Sequence, residues 1–192
     1  MAISVAFFGL GIGALLVHIS KRKLVHEKLP TYILQSTVAF AASLLIFLLL
    51  IGHVIPPSTS YLYIFYLVSS IPFFFAGVSM ALIYLAMPRE ISKLYFIDLI
   101  GAATATLLLD TLMKAVGAES VLIVINLVVI GSSIIATLLF SSSGGKKSVK
   151  DQFMIENKTR FYALLVLVIS GVLLLVNMGS NILAIRPGEV KG

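Results

Sequence analysis

The chain divides into six apolar runs separated by short polar stretches, and this division constrains its fold more than any other feature. The runs cover residues 2–19, 32–51, 62–87, 94–116, 121–140 and 161–183. A helix needs about 20 predominantly apolar residues to cross a bilayer. In hydrocarbon every backbone N–H and C=O has to be satisfied within the segment, so helices are the default spanning structure. The first run is the shortest, about 27 Å at about 1.5 Å per residue. The strict alternation of barrel strands is absent. Composition agrees: 59% of the 192 residues are hydrophobic and 11% charged, against about 25% charged in soluble domains. The expected fold is all-α, a polytopic integral membrane bundle of about six transmembrane helices. The first run has no basic residue before it and no clear A-x-A site after it, which argues against a cleaved signal peptide.

The polar stretches sort by charge. Residues 20–31 carry Lys21, Arg22, Lys23 and Lys28; residues 88–93 carry Arg89 and Lys93; residues 141–160 carry Lys146, Lys147, Lys150, Lys158 and Arg160. Residues 52–61 and 117–120 carry no Lys or Arg. Such alternation is what the positive-inside rule produces. It predicts an outside amino terminus, cytoplasmic basic loops and an outside carboxyl terminus in a cell membrane; Arg186 and Lys191 in the tail run against the last step. The net charge of +6 is accounted for by these loops, and no nucleic-acid partner is expected.

Residues 1–140 read as a five-helix membrane region. Residues 141–160, rich in Ser, Gly and Lys, read as a flexible cytoplasmic linker. Residues 161–183 form the sixth spanning helix and 184–192 a tail. Pro30, Pro56, Pro57 and Pro88 sit at helix boundaries. Pro72 lies inside the third run, removes one backbone hydrogen bond and is expected to kink that helix.

Several residues invite a chemical reading. "GLGIG" at 9–13 has part of a dinucleotide-loop pattern, but lies inside a spanning run, where Gly9 and Gly13 instead form a G-x-x-x-G pair that lets another helix approach closely. Asp98 shares a helical stripe with Gly101, Ala102 and Ala105 at i+3, i+4 and i+7. Small residues mark helix contacts in membranes, so Asp98 is expected to be buried between helices. It would serve as a hydrogen-bonded or loop-paired anchor, or as a substrate or proton site. Asp110 precedes Lys114 by four residues, and the two can pair along the helix. Asp98 and Asp110 stand about 18 Å apart along a straight helix, too far for one catalytic carboxylate pair. Asn126, Gln35, Asn177 and Asn181 can hydrogen-bond between helices. The chain has no Cys and three scattered His; no metal cluster, cofactor motif or catalytic constellation is assembled, and neither a catalytic residue nor a cofactor is assigned.

The stretch "IPFFFAGVSMALI" (71–83) followed by "ISKLYFIDLIGAATATLL" (91–108) resembles the membrane domain attached to spermidine-synthase-like proteins. That family has a Pro-Phe-Phe-x-x-Gly helix, matched by Pro72, Phe73, Phe74 and Gly77. Its Tyr-x-x-Asp-Leu-x-Gly-Ala helix is matched by Tyr95, Asp98, Leu99, Gly101 and Ala102. The likeness is specific over 72–108, loose over 1–71 and 109–140, and faint beyond. Where the family commonly has a further Gly, this chain has Ala105. The family's Rossmann-like aminopropyltransferase domain and its earlier helix with a Glu and an Arg have no counterpart in these residues, so no catalytic residue of the synthase carries over.

The resemblance implies a membrane domain that anchors or scaffolds a soluble synthase-like domain or other membrane subunits, or that handles a polyamine-like cation, without catalytic activity of its own. Aminopropyltransferase-like activity would require a separate soluble domain. The lipid bilayer is the one partner that composition itself implies. A small transporter or channel subunit unrelated to polyamines is the alternative.

Overall fold

Proline and glycine place several helix ends in the computed structural model, which describes residues 2–21, 24, 28–53, 62–142 and 149–180. The helices are α1 (Ala2–Ser20), α2 (Leu29–His53), α3 (Leu62–Ala86), α4 (Ile91–Val116), α5 (Ala118–Ser142) and α6 (Val149–Ser180). Pro30 sits in the first turn of α2, where its missing N–H costs nothing. Pro88 opens a short 3₁₀ turn, Pro88–Glu90, that leads into α4. Between α4 and α5 stands one residue, Gly117, with φ +81°. Its N–H bonds the Met113 carbonyl at 3.1 Å, a helix-ending conformation that a Cβ would strain. Glu119 in the first turn of α5 is placed favourably for the helix dipole. Pro56, Pro57 and Asn181 lie outside the described residues.

The fold is an all-α bundle. Six of its helices are long and apolar enough to cross a membrane, and no strand occurs among the described residues. Helix α2 is central, touching α3 on one side and both α5 and α6 on the other.

Two modes of packing hold the bundle. In the α2–α5–α6 group, buried positions recur three and four residues apart. On α6 they are Thr159, Ala163, Val166, Ser170 and Asn177, with half-buried Leu173 filling the gap. On α2 they are Thr31, Leu34, Ala41, Leu45 and Leu48. A 3.5-residue spacing keeps one seam turned toward its neighbours along the full helix. Ala41, Leu45, Ile130, Ala163 and Val166 form its centre, and Leu48 with Ile123 continues it.

The α1–α3 contact instead depends on missing side chains. A Cβ on Gly9 would stand 2.7 Å from the Ser70 carbonyl oxygen, and one on Gly13 would collide with the Phe74 carbonyl and lie 2.9 Å from the Val78 nitrogen. From the other side, a Cβ on Gly77 would strike the Leu10 backbone. Backbone thus lies directly against backbone, the small-residue mode that spanning helices use for van der Waals contact. Pro72 is buried in this region of α3, and its lack of an N–H leaves the Val68 carbonyl without its partner in the helical ladder.

The extent expected for the linker is corrected. Residues 149–160 are helical, not a flexible linker: α5 reaches Ser142 and α6 starts at Val149. The Ser/Gly-rich character belongs to residues 141–148, whereas "VKDQFMIENKTR" contains no Gly or Pro and is rich in good helix formers. Helix α6 packs on α5 and α2.

Candidate functional site

Three places gather polar side chains. The first is the interior of the α5–α6 seam. Asn126 Nδ2 donates to Ser170 Oγ at 2.9 Å, and Ser170 Oγ donates in turn to the Val166 carbonyl at 2.7 Å. Nearer the α4–α5 turn, Asn177 Nδ2 donates to Ser120 Oγ at 2.9 Å. All four side chains are buried. Asn126 and Asn177 answer to the interhelical role expected of them. Their serine partners were not singled out in sequence, although Ser170 and Asn177 stand seven residues apart on one face of α6. This is a structural device: neither pair includes an acid, a base or a nucleophile activated by a neighbour.

The second place is α4, and here the expected burial is corrected. Asp98, Gly101, Ala102 and Ala105 are all exposed in this chain, and no residue of α4 is buried. A Cβ on Gly101 would meet nothing within 4 Å. The reason is architectural: α5 turns its buried residues toward α2 and α6, so α4 lies outside the seam, packed chiefly on α5. Asp98 has no hydrogen bond or ion pair with a described residue. Lys93, a candidate partner, is engaged by Glu90 at 3.1 Å instead. Asp110 does pair with Lys114, at 2.6 Å, on the exposed surface of the helix. Thr104 and Thr106 return their hydroxyls to carbonyls of α4 itself, at 2.8 Å each. Asp98 is therefore the charged side chain of this helix that has no partner among the described residues. Helix α4 has 26 residues, about 39 Å at about 1.5 Å per residue. With that helix centred on a hydrocarbon core about 30 Å thick, Asp98 lies roughly 6 Å inside the boundary.

The third place is a cleft of about 370 Å³ between α1, α2 and α3, which sequence reasoning did not find. Its polar lining is Ser20, Tyr32, Gln35 and Ser36, and its walls include Phe74 and Val78. Ser36 is engaged, accepting from Ser79 Oγ at 2.9 Å and donating to the Ile33 carbonyl at 2.9 Å. Gln35 is exposed and has no hydrogen bond to a described residue. On α2 the lining positions 32, 35, 36 and 39 follow helical spacing, a stripe the sequence does display. The opposing wall comes from α1 and α3, whose approach depends on the glycine contacts above. Among the described residues no carboxylate lines this cleft, and Asp98 is not part of it.

Among the described residues, no group of three or more His, Cys, Asp or Glu side chains is placed to hold a metal ion. Against this geometry, no family model, no curated protein and no solved structure matches the chain.

Proposed function

We propose that the chain is a multi-pass membrane scaffold or anchor whose α4 receives a spanning helix of another membrane protein. The observation that carries this reading is Asp98: a carboxylate without a partner among the described residues, exposed on a long apolar helix whose other charged side chains are paired. A carboxylate costs about 2.5–3.5 kcal/mol at the bilayer centre on insertion scales, and within the hydrocarbon such groups face protein or water rather than lipid. Gly101, Ala102 and Ala105 on the same stripe offer a partner backbone close approach, and complementarity selects a partner helix that presents a basic side chain to Asp98.

The resemblance of residues 72–108 to the membrane domain of spermidine-synthase-like proteins supports the anchoring form of this reading, with a soluble synthase-like domain as one candidate cargo. A polyamine-like cation site would ask Asp98 to line a cavity, and the cleft described above lies elsewhere. The distribution of basic residues supports a cell-membrane orientation with the amino terminus outside and the basic loops cytoplasmic.

The test uses the absence of native cysteine. Ala102→Cys, in native membranes treated with a bifunctional thiol-to-amine cross-linker, should join this chain to a second membrane protein. Asp98→Lys should abolish that product without lowering the folded yield of the chain. A chain that stays free of any cross-linked protein, at native abundance, overturns the scaffold reading.

A further inference from the structure

The cleft between α1, α2 and α3 has a direction. Helix α1 ends at Ser20, α2 begins at Leu29 and α3 ends at Ala86, so these three termini lie at one end of the bundle. Lys21 directly follows Ser20, which lines the cleft, and Lys28 stands four residues before Tyr32, which also lines it. Four residues is one helical turn, so Lys28 stands above Tyr32 on the stripe that continues through Gln35 and Ala39 into the cleft. Lys21 and Lys28 are both exposed, and neither has an ion pair with a described residue. The two lysines adjoin the cleft in sequence at this end; its polar lining, Ser20, Tyr32, Gln35 and Ser36, stands there beside Val17, Leu24 and Leu82, and Ala39, Phe74 and Val78 line it further in. On α3 the lining runs from Leu82 near this end to Phe74, about 12 Å of rise. That is most of the depth of one hydrocarbon leaflet, about 15 Å.

We infer that this cleft is a binding site for an anionic phospholipid of the leaflet on the basic side of the bundle. Lys21 and Lys28 receive the headgroup phosphate. The Tyr32 hydroxyl and the Gln35 carboxamide N–H donate hydrogen bonds to the ester oxygens at the glycerol level, where Gln35 has no partner among the described residues. One acyl chain lies along Ala39, Val78 and Phe74. The order of groups in the cleft is that of a phospholipid read from phosphate to chain. Basic pockets between spanning helices on the cytoplasmic side are suited to such headgroups, with about 1 kcal/mol for each Lys or Arg near the charged surface. The inference is independent of what docks on α4.

The experiment titrates the full chain in detergent with dioleoyl-phosphatidylglycerol, dioleoyl-phosphatidylcholine or oleate, and counts bound molecules by native mass spectrometry. Phosphatidylglycerol is expected to bind in preference to both other probes. The Lys21→Gln/Lys28→Gln double variant should weaken it about 30-fold, the equivalent of about 2 kcal/mol, and Lys21→Arg/Lys28→Arg should restore it. An equal charge change elsewhere, Arg89→Gln/Lys93→Gln, should leave it unaltered. Ala39→Phe, which fills the cleft while keeping both lysines, should also reduce it in protein whose helicity and melting are unchanged. Equal retention of phosphatidylcholine, oleate bound as tightly as phosphatidylglycerol, or an affinity that follows net charge wherever the charge is removed each overturns the assignment.

Discussion

Asn126 on α5 donates a 2.9 Å hydrogen bond to Ser170 on α6, with both side chains wholly buried. The bond is one-sided: the Asn126 carboxamide oxygen is also buried and has no hydrogen-bond partner among the described residues. Interhelical hydrogen bonds in membranes average about 0.6 kcal/mol and reach about 1.7, while a buried polar atom left open costs about 1–3 kcal/mol. The net worth of the pair is therefore small, and its role is to fix the register of α5 against α6. Ser170→Ala should destabilise the protein by about 1–2 kcal/mol, because it leaves the Asn126 amide open as well. Asn126→Leu together with Ser170→Ala should come back close to wild type, since both polar groups are then gone. Unfolding in mixed micelles for the two single variants and the double variant measures the coupling. A double variant as unstable as the sum of the two single variants would show that the pair is not coupled.

The α1–α3 contact gives a sharper contrast between neighbouring positions. Gly13→Ala sets a methyl group against the Phe74 carbonyl and the Val78 nitrogen, and Gly77→Ala sets one against the Leu10 backbone. Backbone cannot swing aside as a side-chain tip can, so each should cost about 1–3 kcal/mol, the usual range for overpacking. Gly11 lies two residues from Gly13, and a Cβ there meets nothing within 4 Å. Gly11→Ala should be neutral or stabilising by up to about 1 kcal/mol through helix propensity alone. Thermal melting in detergent distinguishes the three variants, and equal melting temperatures would mean that α1 does not pack on α3 through its glycines.

Helix number and type were legible in the sequence because a spanning helix is set by length and composition, which the apolar runs display directly. The glycines of α1 were legible for a similar reason: Gly9 and Gly13 are four apart inside an apolar run, a spacing with one common use. Which face of each helix turns inward was much less so. In a soluble helix the apolar stripe marks the core; here lipid and protein neighbours are both apolar, and the stripe loses its meaning. Asp98 shows the consequence. Its small-residue stripe marks a surface fit for close packing, but nothing local says whether the packing helix belongs to the same chain. Ser120 and Ser170 were missed because a serine in an apolar run is ordinary until its asparagine partner, far along the chain, is brought opposite. The cleft was missed because its walls come from three helices.

Position 98 can be separated from folding by a pair of substitutions. Because Asp98 is exposed and has no hydrogen bond or ion pair with a described residue, Asp98→Leu should leave the folded yield and melting temperature of the isolated protein unchanged or slightly raised. Gly101→Leu, pointing into open space, should behave the same way. A side chain anchored inside the bundle would respond in the opposite sense, with Asp98→Leu lowering yield as Asn126→Ala should. Size-exclusion profiles and melting curves of the two variants beside wild type decide the matter. Loss of folded protein from both would place α4 inside the bundle.

The scaffold reading also requires that α4 cross the bilayer in spite of its open carboxylate. Its 26 residues provide the length. Its ends are unlike: Arg89 and Lys93 flank its start, whereas Gly117 makes an uncharged turn into α5 before Glu119. In the proposed orientation this charge asymmetry sets the start on the cytoplasmic side. Asp110 does not oppose this arrangement, because it is paired with Lys114, which stands in the last turn of α4, close enough to the far end to reach the interface. Single cysteines at Arg89 and at Ala118, in a chain that has none of its own, should label with a membrane-impermeant maleimide from opposite faces. In intact cells Ala118→Cys should react, whereas Arg89→Cys should react only once the membrane is opened. Labelling of both from the same face would mean that α4 lies along the surface. Asp98 would then rest in water, and no partner helix would be needed to cover it.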